Sequence, residues 1–386
     1  MKFKIRNLSK SSKLGRVWVE DHSPMLVNLR EKFSADRPFE GLRIGVCLPG
    51  TWESFMFLSV LRAGSAKLLY YPMFCQPEVG IELMRNNTAK LFDYGKVARC
   101  VKDSDFIYDS TALFGKLIIE QNIPTKGIVE QTASGITIYK DFDSKGLLRQ
   151  PVLDLDGSYV KRVGENKLAT GMGLVEALLK LHFFLPNKQV LILGGGSVGS
   201  GCAMFLKGVG CKVALFDVDS EKMMKAKKEG YQIGTLKELL QNAEIIVNAT
   251  GSSTPVLESE ELKGLKSGAI LANMGGSGWD QSFFLDKKVQ IVGDWVKKIF
   301  LTDATYIYEL AQGFPVNFIF ASGTDTETMD VVFSLSVLAL EYLIKNYDSL
   351  PKTLQPIPEE IQLKHIDLVK KLSKRKDLTN LKEEQQ

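Results

Sequence analysis

Histidine is scarce in this chain: His22, His182 and His365 are the only three in 386 residues, and they stand far apart. The five cysteines, Cys47, Cys75, Cys100, Cys202 and Cys211, form no CxxC pair and are odd in number. Ligands this few and this scattered exclude a zinc centre, and no metal is expected. Unpaired thiols fit a reducing compartment, so a cytoplasmic location is expected. The N-terminus, MKFKIRNLSKSSKLGR, has no apolar core of the kind a secretory signal needs. Long apolar runs are also missing. The longest, from Val331 to Ile344, is broken by Ser334, Ser336 and Glu341, which makes it a buried helix and gives no membrane partner. Charge of one sign is not gathered anywhere: the net +4 is dispersed, which leaves no case for nucleic acid. Only Lys370-Lys371 to Lys374-Arg375-Lys376 is locally basic, and it reads as a solvated helix end.

What is present is a rhythm of short apolar runs and helical patterns. Residues 42–48, 67–71, 89–92 and 105–108 read as strands, with helices over Glu53–Ala63 and Leu113–Gln121 between them. A helix from about Gly173 to Phe184, ended by Pro186-Asn187, leads to further strands at 189–194, 212–217, 244–249 and 269–273. The fold class is therefore α/β, with two doubly wound parallel-sheet domains joined by a hinge near 165–175 and 317–328. The first domain spans 1–170 and is completed by 323–350; a dinucleotide-binding Rossmann domain spans 171–322; a helical tail spans 351–386.

The sharpest local signal is KQVLILGGGSVGSGCAMFLKGVGCKVALFDVD. Here Gly194, Gly196 and Gly199, with Ser197 and Val198 between them, form G-x-G-x-x-G where a strand meets a helix. Gly194 allows the tight turn, Gly196 lets the backbone approach a pyrophosphate, and Gly199 lets helix and strand pack closely. Asp217 ends the next strand, where a carboxylate accepts from the ribose hydroxyls and repels a 2′-phosphate, favouring NAD over NADP. Thr250-Gly251 and Asn273-Met274-Gly275 follow the next two strands, where loops enclose a dinucleotide.

The segment GIVEQTASGITIYKDFDSKGLLRQPVLDLDGSYVKRVGENKLATG, running directly into the glycine loop, resembles S-adenosylhomocysteine hydrolase. The likeness extends upstream to PMLVNLREKFSADRPFEGLRIGVCLPGTWES and downstream to GAILANMGG, covering roughly residues 15–340. The resemblance implies tightly held, catalytic NAD: the 3′-hydroxyl of the substrate is oxidised, homocysteine is eliminated, water adds, and the ketone is reduced again. Position by position it implies that Lys161 stands beside the reacting hydroxyl and that Asn166 approaches the nicotinamide, with Glu165 replacing the family's aspartate. It further implies cofactor contacts from Thr132, Ser134 and Asn317, and adenine contacts from Thr51 and Glu53. Homo-oligomers, a dimer before a tetramer, are implied too, since the family's terminal lysine-and-tyrosine pair is not found in LTNLKEEQQ, which has Lys382 but no tyrosine.

Other family groups are also replaced. Pro49, Gly276 and Thr324 stand where the family has histidines, Ser110 (after Asp109) where it has the catalytic aspartate, and Gln131 where a glutamate binds ribose. Lys161 and Glu165 are spaced i, i+4 and would share one helical face; they form either a proton-exchanging pair or a solvent-facing ion pair. His182 reads as a packed residue of the linker helix, and His22 as a capping or surface group. The expected function is an NAD(H)-dependent oxidoreductase acting on a secondary alcohol or ketone of a nucleoside-like or other polar small molecule. The alternatives are a divergent adenosylhomocysteinase and a non-catalytic NAD-binding regulator.

Overall fold

The computed structural model describes residues 15–372, and the chain divides into two compact units. The first unit begins with six strands: β1 (Arg43–Gly50), β2 (Lys67–Cys75), β3 (Lys90–Leu91), β4 (Phe106–Asp109), β5 (Gly127–Glu130) and β6 (Val152–Asp154). Expected strands fall on β1, β2 and β4, while the 89–92 run shrinks to the two residues of β3. Ile44, Val46 and Leu48 of β1 and Phe106 and Tyr108 of β4 are buried on one face of the sheet and Cys47 and Ile107 on the other, so both faces are covered, as parallel strands require.

The second unit runs from Arg162 to Asp325. Its strands are β7 (Gln189–Leu193), β8 (Lys212–Phe216), β9 (Ile245–Ala249), β10 (Ala269–Gly275), β11 (Lys288–Gly293), β12 (Val296–Phe300) and β13 (Tyr306–Leu310), in the order β11-β12-β13-β10-β9-β7-β8. From β13 to β8 the pairing is parallel, as expected. The far edge is not: β11 and β12 pair antiparallel, as do β12 and β13. Only Asp294-Trp295 separates β11 from β12, and Trp295 adopts φ 64°, so the chain turns back in a hairpin, with no room for a crossover helix.

Residues 162–170, expected with the first domain, group with the second unit. The helix Thr170–Lys180 lies against the helix Ser197–Gly208, and a Cβ at Gly171 would come within 2.6 Å of the Gly201 carbonyl carbon. Two glycines thus let this linker helix dock on the glycine-loop helix. The helix ends at Lys180, before Pro186-Asn187. His182 N–H bonds the Leu179 carbonyl and Phe183 N–H the Leu178 carbonyl, a Schellman stop with His182 at φ 61°. His182 is therefore an exposed cap, which corrects the expectation of a packed helix residue.

The chain then returns to the first unit through the helix Thr326–Asn346, β14 (Leu354–Pro356) and the helix Glu359–Leu372. The 351–386 segment, expected as a helical tail, thus supplies an edge strand, and the first sheet runs β14-β6-β5-β4-β1-β2-β3. Lys370 and Lys371 face solvent as expected; residues 374–376 lie outside the described residues. The buried histidine is His365, whose Nε2 lies 2.9 Å from Ser334 Oγ. His22 caps the helix Arg16–Asp21 and stacks on Trp18. No helix among the described residues is long and apolar enough to cross a membrane.

Candidate functional site

In the second unit the strand order reverses between β7 and β9, and the crevice beyond the carboxyl ends of such strands is where a ligand is received. Gly194, at φ 103°, turns the chain out of β7. A Cβ at Gly199 would overlap the Gly194 carbonyl oxygen, so this position demands glycine. A Cβ at Gly196 would meet nothing within 4 Å. Gly196 is the N-cap of the helix Ser197–Gly208 and supplies no side-chain cap, so the first-turn N–H groups of Ser197 and Val198 face an open cradle.

Asp217 follows β8. Its Oδ2 accepts from Gly195 N–H at 2.7 Å, its Oδ1 from Asp219 N–H at 2.9 Å, and Lys222 Nζ lies 3.4 Å from Oδ2. Partial burial opposes its charge, but the Gly195 and Asp219 N–H groups and Lys222 outweigh that, and the carboxyl titrates below its ordinary range.

On the other side of the crevice, Thr250 Oγ1 donates to Asn248 Oδ1 and Gly251 adopts φ 65°. Asn248 Nδ2 donates to Asn273 Oδ1 at 2.8 Å, and Asn273 Nδ2 to the carbonyls of Gly276 and Gly313, so the loops after β9, β10 and β13 are tied together. Met274 is buried, while a Cβ at Gly275 or Gly251 would meet open space. Asn317 is buried, and its Oδ1 has no hydrogen-bond partner within the protein. An inaccessible acceptor without a donor is costly, and a carboxamide such as that of nicotinamide would satisfy it. The glycine cradle, the acid that follows β8 and this orphaned acceptor all fit NAD.

The first unit has its own switch point, between β1 and β4. Thr51 Oγ1 accepts from Ser54 N–H and caps the helix Trp52–Ala63, and Glu53 accepts from Thr326 Oγ1 at 2.8 Å. At the tips of β4 and β5 two carboxylates are fully buried. Asp109 accepts from the N–H groups of Ser110, Phe114 and Gly115 and from Tyr139 Oη. Glu130 accepts from the N–H groups of Thr111, Ala112 and Thr132 and from Thr132 Oγ1. Thr111 and Ala112, at φ 61° and 50°, are thereby locked in a left-handed turn that two non-glycine residues adopt only when the surroundings impose it. Burial, then the charge of Asp109, pushes Glu130 up to about 8; burial raises Asp109 against its own bonds. Sequence reasoning passed over this pair; its signal was an acid closing each of two consecutive strands, in YDST and VEQT.

Gln131 is buried, with Oε1 2.7 Å from Tyr108 Oη, which also meets Ser336 Oγ. Thr132 caps the helix Ala133–Ser144, and its hydroxyl lies 3.4 Å from that of Ser134. Lys161, Glu165 and Asn166 lie on Val160–Ala169, which winds as a π-helix. Its i→i+5 bonding winds the chain slightly wider than an α-helix, and Lys161 and Glu165, four residues apart, still fall on one face, as expected. Lys161 is 2% exposed and Glu165 8%, which excludes the solvent-facing ion pair. The position of a missing histidine is closed: a Cβ at Gly276 would come within 2.7 Å of Ser252 N and O. Among the described residues no His/Cys/Asp/Glu group could hold a metal.

Residues 172–323 match the family model described as S-adenosyl-L-homocysteine hydrolase, NAD binding domain. The chain is 28% identical to an adenosylhomocysteinase of Saccharolobus solfataricus, the match covering 94% of this chain and 92% of that protein. It is 27% identical to an S-inosyl-L-homocysteine hydrolase of Methanocaldococcus jannaschii, covering 92% of this chain and 91% of that protein. Among solved structures it is similar to the A chain of dipicolinate synthase from Bacillus subtilis, with a TM-score of 0.45 and 14% identity over 80% of this chain and 98% of that one.

Proposed function

Because the chain belongs to the S-adenosylhomocysteine hydrolase superfamily, we propose that it works as an NAD(H)-dependent oxidoreductase. It interconverts a secondary alcohol and a ketone on a nucleoside-like or other polar small molecule. One observation carries this reading: the two acids at the strand tips of the first unit, Asp109 and Glu130, are buried and already accept four hydrogen bonds each from their own unit. They are structural groups, and the residues around them, Ser110, Gln131 and Thr132, are neutral. Elimination needs a base for the C4′ hydrogen and an acid for the leaving thiolate, and each such group supplies about 10²–10⁴-fold in rate.

NAD, when bound, supplies hydride chemistry at the carbon that bears the hydroxyl. The chain's own part is to hold the cofactor, orient the substrate and move a proton. Gly194, Gly196, Ser197, Val198 and Gly199 receive the pyrophosphate, Asp217 the adenosine ribose, and Thr250, Gly251, Met274 and Gly275 border the crevice. Asn317 and Asn166 serve the nicotinamide, with Thr132 and Ser134 as further cofactor contacts. Lys161 exchanges the proton of the alcohol, and Glu165 orients it. Thr51, Glu53 and Gln131 contact the substrate. The protein is proposed to act as a cytoplasmic homodimer.

Mixing the protein with NAD and candidate nucleosides and sugars, and watching reduced nicotinamide form at 340 nm, tests the reading. Lys161→Met lowers that rate about 10²–10⁴-fold and leaves NAD affinity within a few-fold. Hydrolysis itself is the second reading, favoured by relatives that bear hydrolase names and match along nearly the whole chain. Release of thiol from S-adenosylhomocysteine, caught by a thiol reagent, would decide for it. NAD uptake with neither activity would leave a non-catalytic regulator.

A further inference from the structure

The second unit has a cavity of about 250 Å³ at the opposite end of its sheet from the carboxyl ends that receive the dinucleotide. It lies where β7, β9 and β10 begin, with Tyr308 of β13 beside its register partner Ile270. Ile245, Ala269 and Ile270, all buried, give it an apolar lining. Two half-buried rings, Phe183 and Tyr308, line it as well. Phe183 is held by the turn that stops the linker helix, its N–H on the Leu178 carbonyl. Tyr308 is held by an edge contact with Tyr306, the ring centroids 5.5 Å apart. The function proposed above uses none of these residues.

The polar part of the lining is unevenly charged. Glu244 accepts from Lys188 Nζ at 2.9 Å and from Gln189 N–H at 3.0 Å, so the charges of Glu244 and Lys188 cancel. Lys266 lines the cavity too, and its field reaches Glu244, but among the described residues its ammonium forms no salt bridge or hydrogen bond. Ser267 Oγ accepts from Tyr306 N–H at 3.3 Å, which leaves the hydroxyl hydrogen to donate. Lys188 and Lys266 against Glu244 leave the lining with one net positive charge.

These features select a ligand. One net positive charge with donors to spare suits a monoanion; it repels an ammonium and leaves half of a phosphate dianion uncompensated. Two aromatic rings above aliphatic walls suit a planar apolar body. A benzene ring fits in about 150 Å³, and drug-sized ligands take about 300–1,000 Å³, so the space admits a single substituted ring. We propose that this cavity binds a small aromatic carboxylate, its ring against Phe183 and Tyr308 and its carboxylate on Lys266 and Ser267. The site is separate from the dinucleotide crevice and does not depend on it.

Titration of the full-length protein with benzoate, followed by NMR with and without saturating NAD, is the test. The wild type binds benzoate with a Kd of about 1 mM or tighter in both conditions. Benzamide, of the same shape but neutral, binds about tenfold more weakly. Lys266→Gln, a change at an exposed side chain, weakens benzoate about tenfold and leaves benzamide unmoved. Tyr308→Leu weakens both about threefold. Melting curves confirm that the variants fold, and the Lys266→Gln comparison stands whether or not Tyr308→Leu does. No benzoate binding by the wild type, or binding that Lys266→Gln leaves unchanged, overturns the proposal. Phenyl phosphate binding more tightly than benzoate overturns its assignment to a monoanion.

Discussion

Asp109 and Glu130 are register partners on adjacent parallel strands, and both carboxylates are fully buried at the strand tips. Each closes the loop beyond its strand by taking N–H groups from it, and the left-handed turn at Thr111-Ala112 persists because Glu130 holds both of its N–H groups. The arrangement has a thermodynamic signature.

An acid whose folded pKa is raised binds more protons folded than unfolded, so its contribution to stability declines as pH rises between the two pKa values. Glu130 is raised to about 8 and Asp330, buried under the Met25 and Leu26 N–H groups, to about 7. His365, lowered to about 4 by burial, works in the opposite sense, but its effect is complete once pH exceeds the ordinary histidine value. Carboxylates held below their ordinary range, such as Asp105 and Asp217, act only at acid pH. Between about pH 6.5 and 8 the two raised acids therefore dominate, and urea unfolding should show stability falling across that window. Asp330→Asn should make the decline shallower; an unchanged slope would remove Asp330 as a cause.

The glycine loop separates backbone need from ligand need. Gly199→Ala forces a Cβ onto the Gly194 carbonyl, so it should cost about 1–3 kcal/mol of stability as well as NAD binding. Gly196→Ala adds its Cβ to open space. It should leave the melting temperature within about 2 °C while weakening NAD about tenfold or more, because the methyl stands where the pyrophosphate approaches. Melting curves and calorimetry on the two variants make the comparison.

Reinstating a histidine at position 276 should not restore hydrolysis. Gly276 sits at φ 79°, and its Cβ direction is filled by the Ser252 backbone, to which Ser277 N–H also bonds at 2.7 Å. Gly276→His should lower stability by about 1–3 kcal/mol through backbone strain and displacement of that loop. A stable variant that releases thiol from S-adenosylhomocysteine would show the replacement to be a simple deletion.

Sedimentation should show a homodimer, and labelled NAD should exchange with bound cofactor within minutes. Both expectations come from the sequence resemblance. A tetramer retaining its NAD through gel filtration would contradict them.

Sequence alone settled the dinucleotide fold. Gly194, Gly199 and Asp217 are constrained by backbone sterics and by a carboxylate at a strand end, effects that act over a few residues and leave a readable spacing. It settled β1, β2 and β4 likewise, through continuous apolar runs. It left the surroundings of Asp109, Glu130 and Asn317 undecided, because each depends on what other strands and loops bring in: N–H groups from the next loop for the two acids, and no donor within the protein for the Asn317 Oδ1. The winding of Val160–Ala169, the stop at His182 and the β14 strand were likewise decided by tertiary packing, where docking of whole segments outweighs local propensity.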